Sequence, residues 1–339
     1  MNKKLLIGII GLVVLTTVIG GWFWLSPRVK QAGPTDKVYR VGILSGTDNF
    51  LDMAEGFKAG MTKLGYVEGK HIVYDLQKVN VDPAGEKRVA KKFVDDTVDL
   101  IYVFPTEPTV AVQAAIRGTN IPVVFAYAGI EGAKLVNSVR EPGGNITGVR
   151  FPGPEQMGKR LEILHEMVPT AKRVGIAYDK NYPNTAPALA ALRPLAPSLS
   201  ITLVEIPVTS VEELQAALEA RSTSGAIGMD AMILMPDIVN HSPPGWAVIK
   251  KFVTENTLPL GGSFPNTVLE GAIFGNANDL VKIGELAAPI ADKIFRGIPV
   301  GTIPVVTPEQ SLWINYKRAA ELGLTVSQDL LNRADKIIR

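Results

Sequence analysis

The residues of this chain best suited to chemistry are small polar and aromatic side chains that follow short apolar segments. Strand-like apolar runs in both halves of the chain are each followed by such residues. Together they form a candidate binding set of Ser45, Thr47, Asp48, Thr106, Thr109, Tyr127, Asp179, Tyr182, Asn184, Thr185, Asp237 and Phe264. Since open parallel α/β sheets bind ligands beyond the carboxyl ends of their strands, these positions predict a small-molecule site.

The chemistry of this set favours a small zwitterion. Serine and threonine at helix N-termini bind carboxylates, because free N–H groups and the helix dipole favour negative charge there. Asp237 is suited to accept an ammonium group, while Tyr127, Tyr182 and Phe264 are suited to enclose an apolar body. The same polar residue types are also the preferred helix caps, so capping explains each of them, taken alone, as well as ligand contact does.

Signals for catalysis and for a resident cofactor are absent from the sequence. His71, His165 and His241 share no metal-ligand spacing, although His241 follows Asp237 closely enough to lie at the rim of the site. The motifs of zinc peptidases, serine hydrolases, P-loops and dinucleotide sites do not occur. The other acidic candidates, which form no evident acid–base pair, are Glu107, Glu155 and Asp179. We therefore expect a protein that is not an enzyme and has no cofactor or metal.

The overall composition is that of a globular protein with nearly balanced charge. The 339 residues are 46% hydrophobic and 20% charged, and the formal net charge is +2. This balance gives no sign of nucleic-acid binding. The absence of cysteine excludes disulfides, thiolate metal sites, a thiol nucleophile and a lipid-modified cysteine. The length suits two lobes of roughly 130–150 residues each.

Residues 1–25 are predicted to be a membrane-directed segment. Leu5–Leu25 contains no charged residue, and a helix over this run spans about 30 Å, the thickness of the bilayer's hydrocarbon core. Lys3 and Lys4 place the N-terminus in the cytoplasm, and no good cleavage site follows. The segment is interpreted as a signal anchor, with a cleaved signal peptide as the alternative. With residues 26–37 as a linker, the body is expected at the extracytoplasmic face of the cell membrane, or in the periplasm or secreted after cleavage.

The body of the chain contains an internal repeat. Arg40–Ile43 recurs as Arg173–Ile176, and the strand-like Val98–Pro105 recurs as Met229–Pro236. Within each copy, continuous apolar runs alternate with helical patterns such as Phe50–Leu64. This alternation indicates parallel sheets that helices cover on both faces.

The repeat predicts an α/β fold with two Rossmann-like lobes, whose parallel sheets are joined by a hinge. The first lobe is expected to comprise residues 38–150 plus about 276–305, and the second residues 151–275 plus about 306–339. The tail is expected to return to the first lobe and then to end on the second. Gly143–Gly148 is interpreted as the turn that leads into the second lobe.

Several segments resemble a known family. They are Val41–Leu44, Gly65–Lys70, Val98–Ile101, Ile121–Phe125, Pro142–Gly148, Arg173–Ile176, Trp313–Tyr316 and Ala319–Leu324. The motifs L-G-Y-x-E-G and P-G-G-N-x-T-G among them are fairly specific when taken together. On these residues the chain resembles the bacterial ABC-transporter substrate-binding proteins of the tryptophan/tyrosine type, which share the type I periplasmic-binding fold. The resemblance covers Val38 to about Gln328.

The resemblance implies a non-catalytic receptor that closes two lobes around a small ligand, often an aromatic amino acid, and delivers it to a permease in the membrane. It also implies ligand contacts by Thr106 or Thr109, by Asn184 with Thr185, and by Asp237. Two alternatives remain open. One is a sensor of the same fold that signals through a partner, and the other is a two-lobed extracytoplasmic enzyme such as a glycosyltransferase.

Overall fold

The body of the chain is organised around two sheets. The computed structural model describes residues 37–225 and 227–339. The predicted anchor or signal peptide (residues 1–25) and the linker up to residue 36 lie outside the described residues. Within the described ranges, no helix is both long enough and apolar enough to cross a membrane.

The first sheet is entirely parallel and has the strand order β2-β1-β3-β4-β5. Its strands are β1 (Tyr39–Ser45), β2 (Ile72–Lys78), β3 (Leu100–Phe104), β4 (Val123–Ala128) and β5 (Ile146–Arg150). The helices of this part are α1 (Asp52–Lys63), α2 (Pro83–Asp95), α3 (Thr106–Ala115) and α4 (Ile130–Ala133), and a 3-10 turn over Asp48–Phe50 precedes α1.

The second sheet has the order β12-β11-β10-β9-β8-β6-β7. Its strands are β6 (Arg173–Asp179), β7 (Thr202–Val208), β8 (Ala231–Ile233), β9 (Leu260–Gly262), β10 (Phe274–Ala277), β11 (Ser311–Asn315) and β12 (Lys336–Ile338). The remaining helices are α5 (Gly153–Met167), α6 (Thr185–Ser198), α7 (Val211–Thr223), α8 (Ile238–His241), α9 (Pro243–Glu255), α10 (Pro265–Leu269), α11 (Leu280–Phe295), α12 (Tyr316–Glu321) and α13 (Gln328–Arg333), with a 3-10 turn over Val300–Thr302.

Continuous apolar runs form the central strands, as expected for strands that are covered on both faces. Every residue of β3 and β4 is buried. The predicted helix Phe50–Leu64 is confirmed as α1, which has slightly narrower limits and buries Met53, Phe57 and Met61. Gly65 follows its end at φ 94°, a left-handed conformation that glycine adopts without strain.

The α11 helix packs on the first sheet, although the strands before and after it belong to the second. Its Asp292 accepts a hydrogen bond from the Tyr66 hydroxyl at 2.9 Å, and the carbonyl of Phe295 accepts one from Tyr39 at 3.1 Å. The chain then runs beside β5, where the N–H of Arg150 donates to the carbonyl of Val306 at 2.9 Å. Residues 280–306 are therefore held against the first sheet.

Two sequence expectations need correction. Gly143–Gly148 is not only a turn, because Ile146–Arg150 forms the edge strand β5 after left-handed Gly143 and Gly144. The expectation of wholly parallel sheets is also wrong for one pair, since β11 runs antiparallel to β10. Ser311 lies opposite Ala277, so the chain re-enters the second sheet at the end where β10 leaves it and must run the other way.

The contact of α11 with α1 depends on glycine. A Cβ atom on Gly284 would lie 2.1 Å from the carbonyl oxygen of Met53, and one on Gly56 would lie 2.0 Å from that of Val281. Neither oxygen can move without shifting its helix, so the two backbones approach closely only because these side chains are absent.

We predict that Gly284→Ala destabilises the fold by about 1–3 kcal/mol, because the helices must separate to admit the methyl group. The matched control is Gly158→Ala in α5, where a Cβ atom would meet only Leu195 Cδ2 at an ordinary 3.5 Å. The control should be neutral or stabilise by up to about 1 kcal/mol, as alanine favours a helix. Urea unfolding measures both, and equal midpoints for the two variants would contradict the prediction.

Candidate ligand-binding cleft

A cleft of about 660 Å³ lies between the carboxyl ends of the two sets of parallel strands. The loops after β1 and β3, Tyr127 near the end of β4 and Phe151 after β5 contribute to its wall from the first sheet, and the loops after β6, β8 and β9 contribute from the second. This is the position at which open α/β sheets bind ligands. Its volume lies within the range of small-molecule sites.

The structure brings part of the predicted set into the wall of the cleft. The predicted residues that line it are Thr47, Tyr127, Tyr182, Asp237 and Phe264. Those that do not are Ser45, Asp48, Thr106, Thr109, Asp179, Asn184 and Thr185. Ligand contact by either group stays a prediction, and the hydrogen bonds of each group show what its members do within the protein.

The buried hydroxyl groups bond to the loops that carry them. Ser45 donates to the carbonyl of Thr47 at 2.8 Å, Thr185 donates to the carbonyl of Asp179 at 2.7 Å, and Thr109 donates to the carbonyl of Pro105. These bonds satisfy backbone carbonyl groups and leave no hydroxyl hydrogen of the three for a ligand.

The polar residues after β1 also bond locally. Thr47 caps the turn that begins at Asp48. The carboxylate of Asp48 lies 3.3 Å from the ammonium group of Lys78 at the surface, where such a pair contributes little to stability.

Asp237 is a helix cap with both of its oxygens in use. Oδ1 accepts from the N–H of Asn240 at 2.8 Å, while Oδ2 accepts from the N–H of Asp179 at 3.0 Å and from Asn240 Nδ2 at 2.8 Å. Burial raises the pKa of Asp237 to about 7, although the N–H donors of Asn240 and Asp179 act in the opposite direction. The carboxyl group thus joins the loops after β6 and β8.

Loops of the two sheets touch beside the cleft. Asn184 Nδ2 donates to the hydroxyl of Thr106 at 3.2 Å, and that hydroxyl also accepts from the N–H of Gly129 at 3.1 Å. A Cβ atom on Gly132 would lie 1.9 Å from the carbonyl oxygen of Pro183, so this approach requires glycine. Asn184 and Thr106 therefore join the two sides of the cleft.

Aromatic rings from both sheets meet in the wall. Phe50 lies 5.8 Å from Tyr127 and 6.2 Å from Phe264, measured between ring centroids. Tyr127 has φ 53° at a register shift in β4, so the chain bends at this residue. Trp313 of β11 adds a further ring. The resulting surface suits an apolar, planar ligand.

His241 lies in the wall, beside Phe264, and is uncharged. Its Nε2 atom is 2.7 Å from the hydroxyl of Ser263. Burial lowers its pKa to about 3, and the charge of Arg160 adds to this effect. Arg160 is itself fully buried outside the wall and donates to Asn276 Oδ1 at 2.9 Å and to the carbonyl of Leu234.

The charged residues of the wall are acidic. They are Asp52, Glu86, Glu107, Asp237 and Asp279. None of the described residues that line the cleft is a lysine or an arginine. No group of three or more potential metal ligands occurs within the described ranges. The described wall of the cleft therefore carries acidic side chains without basic ones to balance them.

Burial disfavours the ionised form of two of these acidic residues. Burial raises the pKa of Glu86 to about 7, and the neighbouring carboxylate of Glu107 adds to the rise while Lys87 opposes it. Burial also raises the pKa of Glu107, against the effects of its own backbone N–H and the Tyr182 hydroxyl. Sequence analysis missed Glu86, Phe50 and Trp313, because no local pattern marks them as facing a cleft.

We predict that Glu86 makes stability depend on pH. Its folded-state pKa lies above the unfolded value, so its favourable contribution is present at low pH and is lost as pH rises towards 7. The stability of the wild type relative to Glu86→Gln should fall by about 2 kcal/mol between pH 5 and pH 8. Urea unfolding at the two pH values measures this difference.

The matched control is Glu55→Gln, which removes an exposed carboxylate on α1 that is hydrated in both states. The stability difference between this variant and the wild type, measured at the same two pH values, is the baseline for the comparison. A Glu86→Gln difference that changes no more with pH than this baseline would contradict the prediction.

Comparison with known proteins identifies the family. The sequence profile of the family described as "ABC transporter substrate binding protein" matches residues 41–338. A "Tyrosine-binding protein" of Clostridioides difficile (strain R20291) is 29% identical over 266 residues, which are 77% of this chain and 73% of that protein.

Solved structures agree with this match. A conserved domain protein from Vibrio cholerae superposes with a TM-score of 0.79 at 25% identity, over 89% of this chain and all of the other. An ABC domain in complex with L-Trp from Streptococcus pneumonia also has a TM-score of 0.79, at 21% identity and with the same coverage. With the profile matched over nearly the whole body and the cleft in the place this fold uses for ligands, the chain belongs to the ABC transporter substrate-binding proteins.

Proposed function

We propose that this chain is the extracytoplasmic solute receptor of an ABC importer and that it encloses a small, amino-acid-like, aromatic ligand. The observation that carries the proposal is the cleft between the two sheets, whose wall combines rings of both sides, such as Tyr127 and Phe264. The names of the similar proteins, one tyrosine-binding and one in complex with L-Trp, support an aromatic amino acid as the ligand type.

Ligand capture is proposed to work by hinge closure of two lobes. The first lobe is assigned to residues 38–150 plus about 276–305, and the second to 151–275 plus about 306–339. The packing of residues 280–306 against the first sheet supports this division, since the chain then passes between the sheets three times. Several short connections of this kind suit a bending motion that opens and closes a cleft.

The cellular setting is also a proposal. Residues 1–25 would hold the body at the outer face of the cell membrane, or would be removed to leave it in the periplasm or outside the cell. The partner would be the permease that accepts the ligand, and no chemical conversion is assigned to the cleft. Other members of the family are substrate-binding proteins, which supports a non-catalytic role.

The proposal predicts that aromatic amino acids stabilise the purified full chain against heat. A ligand at about 100 times its dissociation constant adds roughly 2.7 kcal/mol to the free energy of unfolding, because it binds only the folded state. The chain should first be refolded to remove any ligand carried through purification. Tyrosine, tryptophan and phenylalanine should each be compared with the other amino acids, sugars and nucleotide-sugars in thermal unfolding.

Two variants locate the binding surface, one at Phe264, the N-cap residue of α10, and one at Leu269 within α10. Phe264→Ala should weaken binding of the stabilising amino acid about tenfold or more, because it removes an aromatic ring from the wall. Leu269→Ala, at an exposed position of the same short helix, should leave affinity unchanged. Stabilisation by nucleotide-sugars alone would overturn the receptor proposal and favour the enzyme alternative.

A further inference from the structure

We propose that Glu107 and Glu86 bind a cationic group of the ligand and select an aromatic solute with a net positive charge over a zwitterion. The proposal rests on the proposed function, because it concerns the same cleft. The ligands of this class are aromatic amines in which the carboxyl group is absent or is neutralised, for example as an amide. Three features of the cleft lead to it.

The first feature is the position of Glu107 in the first turn of α3. Its Oε1 atom is buried and has no hydrogen-bond partner in the described chain, although the residue lines the cleft. A helix N-terminus normally attracts an anion. Here the carboxylate of Glu107, which interacts with its own backbone N–H, already supplies the negative charge at that end. A ligand carboxylate would therefore meet repulsion at this end of the cleft.

The second feature is Glu86, which also lines the cleft and lies near enough to Glu107 for the two charges to interact. Only 6% of the residue's surface is exposed. No hydrogen bond or ion pair joins its side chain to another described residue, and the neighbouring charges are those of Glu107, Asp82 and Lys87. A buried carboxylate without a partner is costly, and the nearby carboxyl group of Glu107, whose Oε1 atom has no hydrogen-bond partner, adds to that cost. A ligand cation between them would remove much of this cost.

The third feature is the state of the other charged groups. Asp237 already accepts three N–H bonds and both of its oxygens are engaged, so its charge is largely satisfied within the protein. Asp52 and Asp279 are exposed at the rim, and Asp279 caps α11. Arg160 lies outside the wall, with its donors directed to Asn276 and Leu234. The unsatisfied charge of the cleft is thus that of Glu86 and Glu107.

The test compares ligands that share a ring and differ in charge. Tyrosine amide and tryptophan amide carry a net positive charge, tyrosine and tryptophan are zwitterions, and 3-(4-hydroxyphenyl)propanoate is an anion. Isothermal titration of the full chain should give at least tenfold tighter binding for an amide than for its parent amino acid, and no binding of the anion. A tenfold ratio is about what the loss of one charged hydrogen bond produces.

Variants assign the preference to particular residues. Glu107→Gln keeps the shape of the side chain and removes its charge, so it should reduce the ratio of amide to amino-acid affinity at least tenfold. Glu55→Gln makes the same change at an exposed position of α1 outside the cleft wall and should alter the ratio less than about twofold. Circular dichroism tests whether each variant is folded. The affinity of each variant for the parent amino acid serves as a second test of folding.

Three results would overturn the proposal. Tighter binding of the amino acid than of its amide would show that the cleft selects the zwitterion, and the proposed function would stand. Loss of the preference in Asp237→Asn but not in Glu107→Gln would place the cation at Asp237. Failure of every aromatic compound to bind would overturn the proposed function together with this inference.

Discussion

The close approach of α11 to α1 is the contact on which the arrangement of the cleft depends. Gly56 and Gly284 place backbone against backbone, so that a helix entering from the second sheet is held on the first. The chain consequently passes between the sheets on both sides of α11, and residues at the end of β10 enter the cleft wall. Protein interiors are densely packed and do not accommodate a shift of one helix against another. The contact between α1 and α11 therefore fixes both points at which the chain passes between the sheets.

The sequence predicts β3 and β4 well, where burial is continuous, and it predicts α1 well, where one face of the helix is buried. It does so because a buried parallel strand and an amphipathic helix each leave a local pattern. The edge strand β5 lacks this pattern, since glycines precede it and its Thr147 is buried through a hydrogen bond to the carbonyl of Ile303 at 2.8 Å. The direction of β11 is likewise set by where the chain returns, which no local pattern records.

Candidate site residues are predicted less completely than the fold. The strand ends indicate where the cleft lies, and Tyr127, Tyr182 and Phe264 are found in its wall. The hydroxyl groups of Ser45 and Thr185 satisfy backbone atoms instead, and sequence alone does not separate these two uses of the same residue types. Residues such as Glu86 lie on helix faces that become part of the cleft only through tertiary packing.

The charge of the cleft follows from the relative sizes of two opposing effects at α3. A helix N-terminus stabilises a nearby anion by about 0.3–1 kcal/mol, and by up to about 2 kcal/mol when partly buried. Two unit charges 4 Å apart interact by about 4 kcal/mol at an effective dielectric constant of about 20. An ionised carboxylate on Glu107 at such a distance from a ligand anion would therefore repel it by more than the helix end attracts it, and Glu86 would act in the same direction. The proposed closure of the cleft would exclude water and strengthen this imbalance, so the rings proposed to enclose an aromatic body would lie beside groups that favour a cation.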